Sequence, residues 1–302
     1  GWFMSTDPDA DVYDPKNEKF YGPALPLETN RYEPYRLPDE TFCRTWREKV
    51  AEVVEKYSPD ALYFDSRSFL IREEDRYRMA EHYYRHCSDN QGVITYKQED
   101  FPEGIGVLDL ERGCFSEPKP FVWQCDDRLE DNITWCMVQN PAYRTATSVI
   151  HQLCDIVSKN GNLLLNVGPY ADGSFHPDAV QKLYDIGDWL KLNGEAIYGS
   201  RPYKSAMEGP TYVKGINYDI EKIQKQLATG EEAAVEQQAL TENDFRFTTR
   251  DGFLYVIAMG WPQNGEWKIR TLKSGTENIK SISLLGYSEA LSFTQAGEAL
   301  FV

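Results

Sequence analysis

Between residues 40 and 195, short apolar runs alternate with amphipathic helical stretches, and that alternation leaves few folds open. The runs are Ala61-Leu62-Tyr63-Phe64, Gly92-Val93-Ile94-Thr95-Tyr96, Gly106-Val107-Leu108-Asp109-Leu110 and Leu163-Leu164-Leu165-Asn166-Val167. A brief continuous apolar run fits a strand buried on both faces, as in a parallel sheet covered by crossover helices. Helical periodicity fills the gaps. Phe42, Trp46, Val50, Val53, Val54 and Tyr57 recur at three- and four-residue steps, and a stripe of Tyr77, Ala80, Tyr84 and Cys87 runs through 72–87. Val149, Ile150, Leu153, Ile156 and Val157 form another within 140–159. A fourth helix opens at Pro177, with Val180, Leu183, Tyr184 and Leu190 inward. Strands alternating with helices call for a parallel sheet with right-handed crossovers, so the predicted class is α/β.

After Arg201-Pro202 the pattern changes. Residues 215–243 are polar and rich in Glu and Gln, read as a loop with some helix. From Phe245 onward, strands predicted at 253–259, 266–272, 279–285 and 291–294 are separated by turns, as in an antiparallel β-sandwich. The boundary is placed near 203, giving domains 1–203 and 204–302. Residues 1–38 carry the turn formers Asp7-Pro8-Asp9, Asp14-Pro15-Lys16-Asn17 and Tyr21-Gly22-Pro23 and read as a long irregular segment.

Composition excludes several partners. Lys and Arg number 32 against 48 Asp and Glu, for a net charge of −16, and such a surface repels phosphate backbones. No apolar run reaches the roughly 18 residues a membrane span needs, and no signal peptide is visible. The six cysteines form no Cys-x-x-Cys. They are expected to be buried free thiols, with Cys114, Cys125 and Cys136 leaving one bridge open. His82 and His86 stand one helical turn apart, a spacing that can hold a metal. With no His-Glu-x-x-His and no third ligand evident, they read as helix surface, and neither metal nor cofactor is expected.

The candidate chemistry centres on Asp65. A carboxylate at the C-terminal end of a parallel strand emerges at the mouth of the sheet, where barrels of this kind place their catalytic groups. The plainer reading is a capping or ion-paired Asp. A resemblance favours the first. Asn160-Gly161-Asn162-Leu163-Leu164-Leu165-Asn166-Val167-Gly168-Pro169, then Ala171-Asp172-Gly173, Ile186-Gly187-Asp188-Trp189-Leu190, Asn193-Gly194-Glu195-Ala196-Ile197-Tyr198-Gly199 and Arg201-Pro202 resemble the α-L-fucosidases of glycoside hydrolase family 29. Leu62-Tyr63-Phe64-Asp65 resembles that family's nucleophile strand, Leu108-Asp109-Leu110-Glu111-Arg112-Gly113 the acid/base strand of one branch, and Leu284-Leu285-Gly286 a late strand of its C-terminal sandwich.

The resemblance implies a (β/α)-barrel of TIM type, incomplete on its N-terminal side, followed by a β-sandwich. A full barrel takes about 250 residues, the family's adjacent His pair is absent, and the sandwich is expected to stop before its last strand. The implied activity is retaining exo-α-L-fucosidase, with fucosylated oligosaccharides as substrate. A periplasmic, secreted or lysosomal setting is expected. Retention needs two carboxyl groups about 5–5.5 Å apart. Asp65 would be the nucleophile and Glu111 the acid/base, with Glu117 an alternative. The rival acid position, directly after Trp123, holds Gln124, which cannot act as a general acid. Tyr63, Trp135 and Lys97 would bind the sugar or support the nucleophile, and Asn166 would brace a strand end. Two other readings stand beside this one: a non-catalytic carbohydrate-binding relative or inactive fragment, and a barrel glycosidase for another sugar such as an α-galactoside.

Overall fold

The computed structural model describes residues 7–21, 24, 38–65, 67–87, 91–97, 100–131, 135–211 and 240–302. The turn expected at Tyr21-Gly22-Pro23, much of the irregular segment before residue 38 and the polar stretch 215–239 fall mainly or wholly outside those residues. The chain forms two compact units, residues 1–108 with 219–233, and residues 109–218 with 234–302.

In the first unit a short helix α1 (Glu18–Tyr21) precedes α2 (Glu40–Tyr57). The Asp39 side chain caps α2 by accepting from Phe42 N at 2.8 Å. The helix stops at Ser58, left-handed at φ 44°, ahead of Pro59. Strand β1 (Ala61–Phe64), helix α3 (Glu73–His86) and strand β2 (Val93–Lys97) follow, with β1 and β2 parallel and Phe64 opposite Tyr96. Val54, Met79, Tyr83, Ile94 and Phe101 form the core, and Leu62 and Phe64 pack onto it.

Strand β1 is not buried on both faces. Leu62 and Phe64 turn inward, whereas Ala61 and Tyr63 are exposed, Tyr63 at 41%. The helices cover one face of β1, and the period of two sends alternate side chains to the other.

Strand β3 (Val107–Asp109) is followed by β4 (Trp123–Arg128) and β5 (Gly161–Asn166), giving the sheet order β1-β2-β3-β4-β5. That succession without reversal is the strand order of a TIM-type barrel, of which five strands are described. Strand β4 was not foreseen, because Gln124, Asp126, Asp127 and Arg128 break the apolar run a buried strand should show. It pairs in parallel with β5 from Trp123↔Gly161 to Arg128↔Asn166. Strand β5 also has an open face, with Leu164 46% exposed, against the expectation of full burial. Helix α4 (Ala146–Ser158) begins later than its periodicity suggests. The Thr145 hydroxyl caps it by accepting from Ser148 N at 3.1 Å, and the preceding residues instead form a bridge between Glu130 and Tyr143. Asn160, at φ 72°, turns the chain from α4 into β5. Helix α5 (Pro177–Asn193) completes this part.

Strands β6 (Arg201–Glu208), β7 (Phe245–Arg250) and β8 (Phe253–Ala258) form one antiparallel sheet. Strands β9 (Lys268–Ile269), β10 (Thr294–Gln295) and β11 (Leu300–Phe301) form a second in the order β10-β11-β9. Phe245 and Phe247 from one sheet meet Ile269 and Leu300 from the other in a shared core, as a sandwich requires. The strands of the second sheet are shorter than expected. Residues 270–272 turn into a 3-10 helix, and the run at 279–285 contributes only a single bridge between Ser283 and Ala290, beside the left-handed Gly286.

Helix α4 and strand β7 are joined by a buried charge cluster. Asp155 receives Lys159 Nζ at 2.7 Å and Arg246 Nε at 2.6 Å, and none of the three is more than 5% exposed.

Candidate active site

Strand β1 delivers Asp65 one residue past its C-terminal end. Alternation puts Tyr63 and Asp65 on the same face, opposite Leu62 and Phe64. Phe64 is fixed between Trp46 and Phe101, with ring centroids 5.6 and 6.2 Å away, and this anchors the strand end from behind. The Asp65 side chain is 77% exposed. Lys97, at the end of the neighbouring strand β2, reaches it with Nζ 3.5 Å from Oδ1, while its own side chain is only 6% exposed. A buried ammonium thus faces an accessible carboxylate, an arrangement suited to a group that must meet substrate while its charge is countered from below.

The second unit carries the other candidates. Glu111 lies just beyond β3 in a turn held on both sides by β4. Leu110 N donates to Gln124 O at 2.9 Å and Arg112 N donates to Asp126 O at 2.8 Å. Arg112 is left-handed at φ 52°, and Gly113 N closes the turn on Leu110 O at 3.2 Å. The Glu111 side chain is exposed. Gln124, standing where the rival acid would be, donates through Nε2 to the buried Asp109 at 3.3 Å. Glu117, the alternative, is also exposed. Trp135 is half-buried, with the Arg128 guanidinium 5.8 Å from its ring centroid, a cation–π distance. Asn166 donates to Trp135 O at 3.1 Å, so it braces the Trp135 segment against the end of β5. Asp65, Lys97 and Tyr63 therefore belong to the first unit, and Glu111 and Trp135 to the second.

Several polar groups around these residues had no sequence signal. Asp100 is fully buried and accepts from Phe69 N at 2.8 Å, and burial pushes its carboxyl up to about 6. Asp127 accepts from Arg144 at 3.0 Å and Gln152 at 2.8 Å. Glu130 is buried and accepts from Gly168 N at 2.7 Å. All three partnerships span long sequence separations, which no local pattern reveals.

The cysteines form no disulfide. Five are buried as expected, but Cys136, beside Trp135, is exposed. Burial raises the Cys114 thiol to about 11 and Cys154 to about 12, so neither is a nucleophile. His82 and His86 stack with centroids 4.2 Å apart, and His82 Nε2 lies 3.3 Å from Glu55. Among the described residues no three His, Cys, Asp or Glu side chains group as metal ligands, and no helix is long and apolar enough to cross a membrane.

Comparison with known proteins bears on this arrangement. The tissue α-L-fucosidase of Mus musculus is 30% identical over 147 residues, covering 49% of this chain and 25% of the mouse protein. That of Bos taurus is 27% identical over 274 residues, covering 84% and 49%. The chain thus spans half or less of the length of these relatives. Among solved structures, Thermotoga maritima α-fucosidase in complex with fucose matches 87% of this chain and 52% of its own at a TM-score of 0.62 and 22% identity. The α-L-fucosidase isoenzyme 1 of Paenibacillus thiaminolyticus matches 89% and 59% at a TM-score of 0.64 and 20% identity. At such identities the likeness establishes the fold. The sequence model of the alpha-L-fucosidase family matches residues 7–195, and that of the alpha-L-fucosidase C-terminal domain matches residues 237–302. With most of its length matched by these two models in sequence, the chain belongs to the α-L-fucosidase family.

Proposed function

We propose that this chain carries the catalytic carboxylates of a retaining exo-α-L-fucosidase that releases terminal L-fucose from glycans. The observation that supports this most is the exposed Asp65 at the end of β1, backed by the buried Lys97 at 3.5 Å. In the first step the Asp65 carboxylate attacks the anomeric carbon. The bond from that carbon to the leaving oxygen breaks, and Glu111 gives its proton to that oxygen. In the second step Glu111 takes a proton from water, the water oxygen attacks the same carbon, and Asp65 is released as carboxylate. Lys97 offers a fixed positive charge beside the attacking group. Tyr63 and Trp135 offer aromatic surface suited to the C6 methyl and apolar face of fucose.

The test is hydrolysis of an aryl α-L-fucoside by the chain, followed by NMR of the first-formed sugar. Release of α-L-fucose supports the reading. Release of the β anomer would replace retention with inversion. Absence of turnover in the chain and in any longer protein containing it would favour a carbohydrate-binding role. Stronger competition by galactose than by L-fucose would favour a different glycoside.

A further inference from the structure

Behind the end of β1 lies a buried carboxyl, that of Asp100. The chain leaves Asp65, passes through Arg67 at φ 67°, and winds into a 3-10 turn at Ser68–Leu70. That turn is gripped from a distant segment: Asp100 Oδ1 accepts from Phe69 N at 2.8 Å, across 31 residues of sequence. Asp100 is itself tied to Lys97, because its N–H donates to Lys97 O at 3.2 Å. One residue therefore couples the 3-10 turn at Ser68–Leu70, just beyond Asp65, to the end of β2 at Lys97, and the Asp65 and Lys97 side chains meet at 3.5 Å. Arg76 of α3 reinforces the junction. Its guanidinium donates to Ile71 O at 3.1 Å and to Asp100 O, and lies over the Phe101 ring.

We propose that Asp100 is a positioning residue that latches the loop behind Asp65 when it carries a proton and loosens it when it does not. The proposal rests on the fucosidase reading for its effect on turnover, though not for the latch itself. Asp100 is 0% exposed and its Oδ2 is buried without a hydrogen-bond partner, so the ionised form lacks both water and a full set of donors. The charged and titratable groups around it do not offset this. Arg76 lies on the α3 side and the Ser68 hydroxyl on the loop side, and together with Phe69 N–H they favour ionisation. Burial outweighs them. Tyr96, from β2, faces both Asp100 and Glu103 and is held neutral by burial and by those carboxyls. Lys97 contributes its backbone to this carboxyl and turns its ammonium toward Asp65.

The direction follows from linkage. With the loop closed, the Asp100 carboxyl holds its proton up to about pH 6, against an ordinary value of 3.8. Opening the loop to water returns it toward the ordinary value and releases the proton. Closure is therefore most secure below about pH 4 and is progressively lost as pH rises through about 6.

The test is hydrogen exchange of the segment 67–71 in the full chain, corrected for intrinsic rates, in the wild type and in Asp100→Asn and Asp100→Ala. Asn keeps the acceptor and the shape of the protonated acid. We expect wild-type protection of the segment to fall by up to about 100-fold between about pH 4 and about pH 7. Asp100→Asn should stay protected and flat across that range. Asp100→Ala should lose protection at every pH, with kcat on an aryl fucoside down about 10-fold, KM within about twofold, and kcat restored by Asn. Wild-type protection independent of pH would overturn the latch. So would a loss in Asp100→Ala shared equally by α4, because that would mark a merely structural role. If the wild type hydrolyses no fucoside, the proposed function falls while the exchange result still decides the latch.

Discussion

Lys97 Nζ lies 3.5 Å from Asp65 Oδ1, with the lysine side chain 6% exposed and the carboxylate 77% exposed. The distance exceeds that of a tight hydrogen bond, so the lysine acts on Asp65 chiefly as a fixed charge. A charge held by its surroundings needs no reorganisation when the carboxylate reacts. Lys97→Met should therefore lower kcat by roughly 10–100-fold with KM changed little, and Lys97→Arg should retain more activity than Met. Steady-state kinetics on one aryl fucoside checks this. Equal activity in all three proteins would remove Lys97 from the site.

The two carboxylates should separate by leaving group. Asp65→Ala should remove turnover of every substrate while the unfolding midpoint stays within a few degrees, because an exposed side chain contributes little to stability. Glu111→Ala should damage substrates with poorly acidic leaving groups most and spare the most activated aryl fucosides. A plot of rate against leaving-group acidity with the same slope in wild type and variant would end the assignment of Glu111 as acid.

Asp100 also sets a pH dependence of global stability. Its folded value of about 6 lies above the ordinary 3.8, so its contribution is fully present below about pH 4 and lost as pH rises through about 6. That gap corresponds to about 3 kcal/mol at most. Asp100→Asn should gain stability relative to wild type as pH rises from about 4 to about 7, with the difference levelling off above. Urea unfolding at several pH values measures it, and a constant difference would contradict the burial argument.

The parts of this architecture set by local periodicity were legible in the sequence. The helices α2, α3 and α5 follow from their stripes but their faces only in part: Trp46, Val50, Val54, Ala80 and Cys87 pack inward, whereas Val53, Tyr57, Tyr77, Leu183 and Tyr184, expected inward, are exposed, and α5 buries Ala179 and Ile186 instead. Ser58-Pro59 and Asn160 stop helices for the backbone reasons expected of them. Asp65 and Glu111 stand out in the sequence because each follows an apolar run. Strand β4 was hidden because its Gln and Asp residues look like loop, yet it supplies the carbonyls that pin the Glu111 turn. The open faces of β1 and β5 were missed because an apolar run reports strand character without saying whether both faces are covered. Asp100 and Asp155 were invisible because their partners, Phe69 and Arg246, are brought together only by the fold.

The Asp155 cluster yields a final expectation, which turns on an asymmetry. Asp155 serves two cations at once, Lys159 at 2.7 Å and Arg246 at 2.6 Å, all within the buried seam of α4 and β7. Replacing it by Asn leaves two buried positive charges facing a neutral amide. Removing one partner of a buried pair costs about 3–5 kcal/mol, chiefly through the charge left behind. Arg246→Met instead leaves Asp155 paired with Lys159 and fills the vacated space with an apolar chain, so its cost should be smaller, about 1–3 kcal/mol. Denaturant unfolding of both variants should rank Asp155→Asn as the more destabilised. The reverse order would mean that the Arg246 stem and its bond to Phe245 O at 3.0 Å, rather than charge balance, hold β7 against α4.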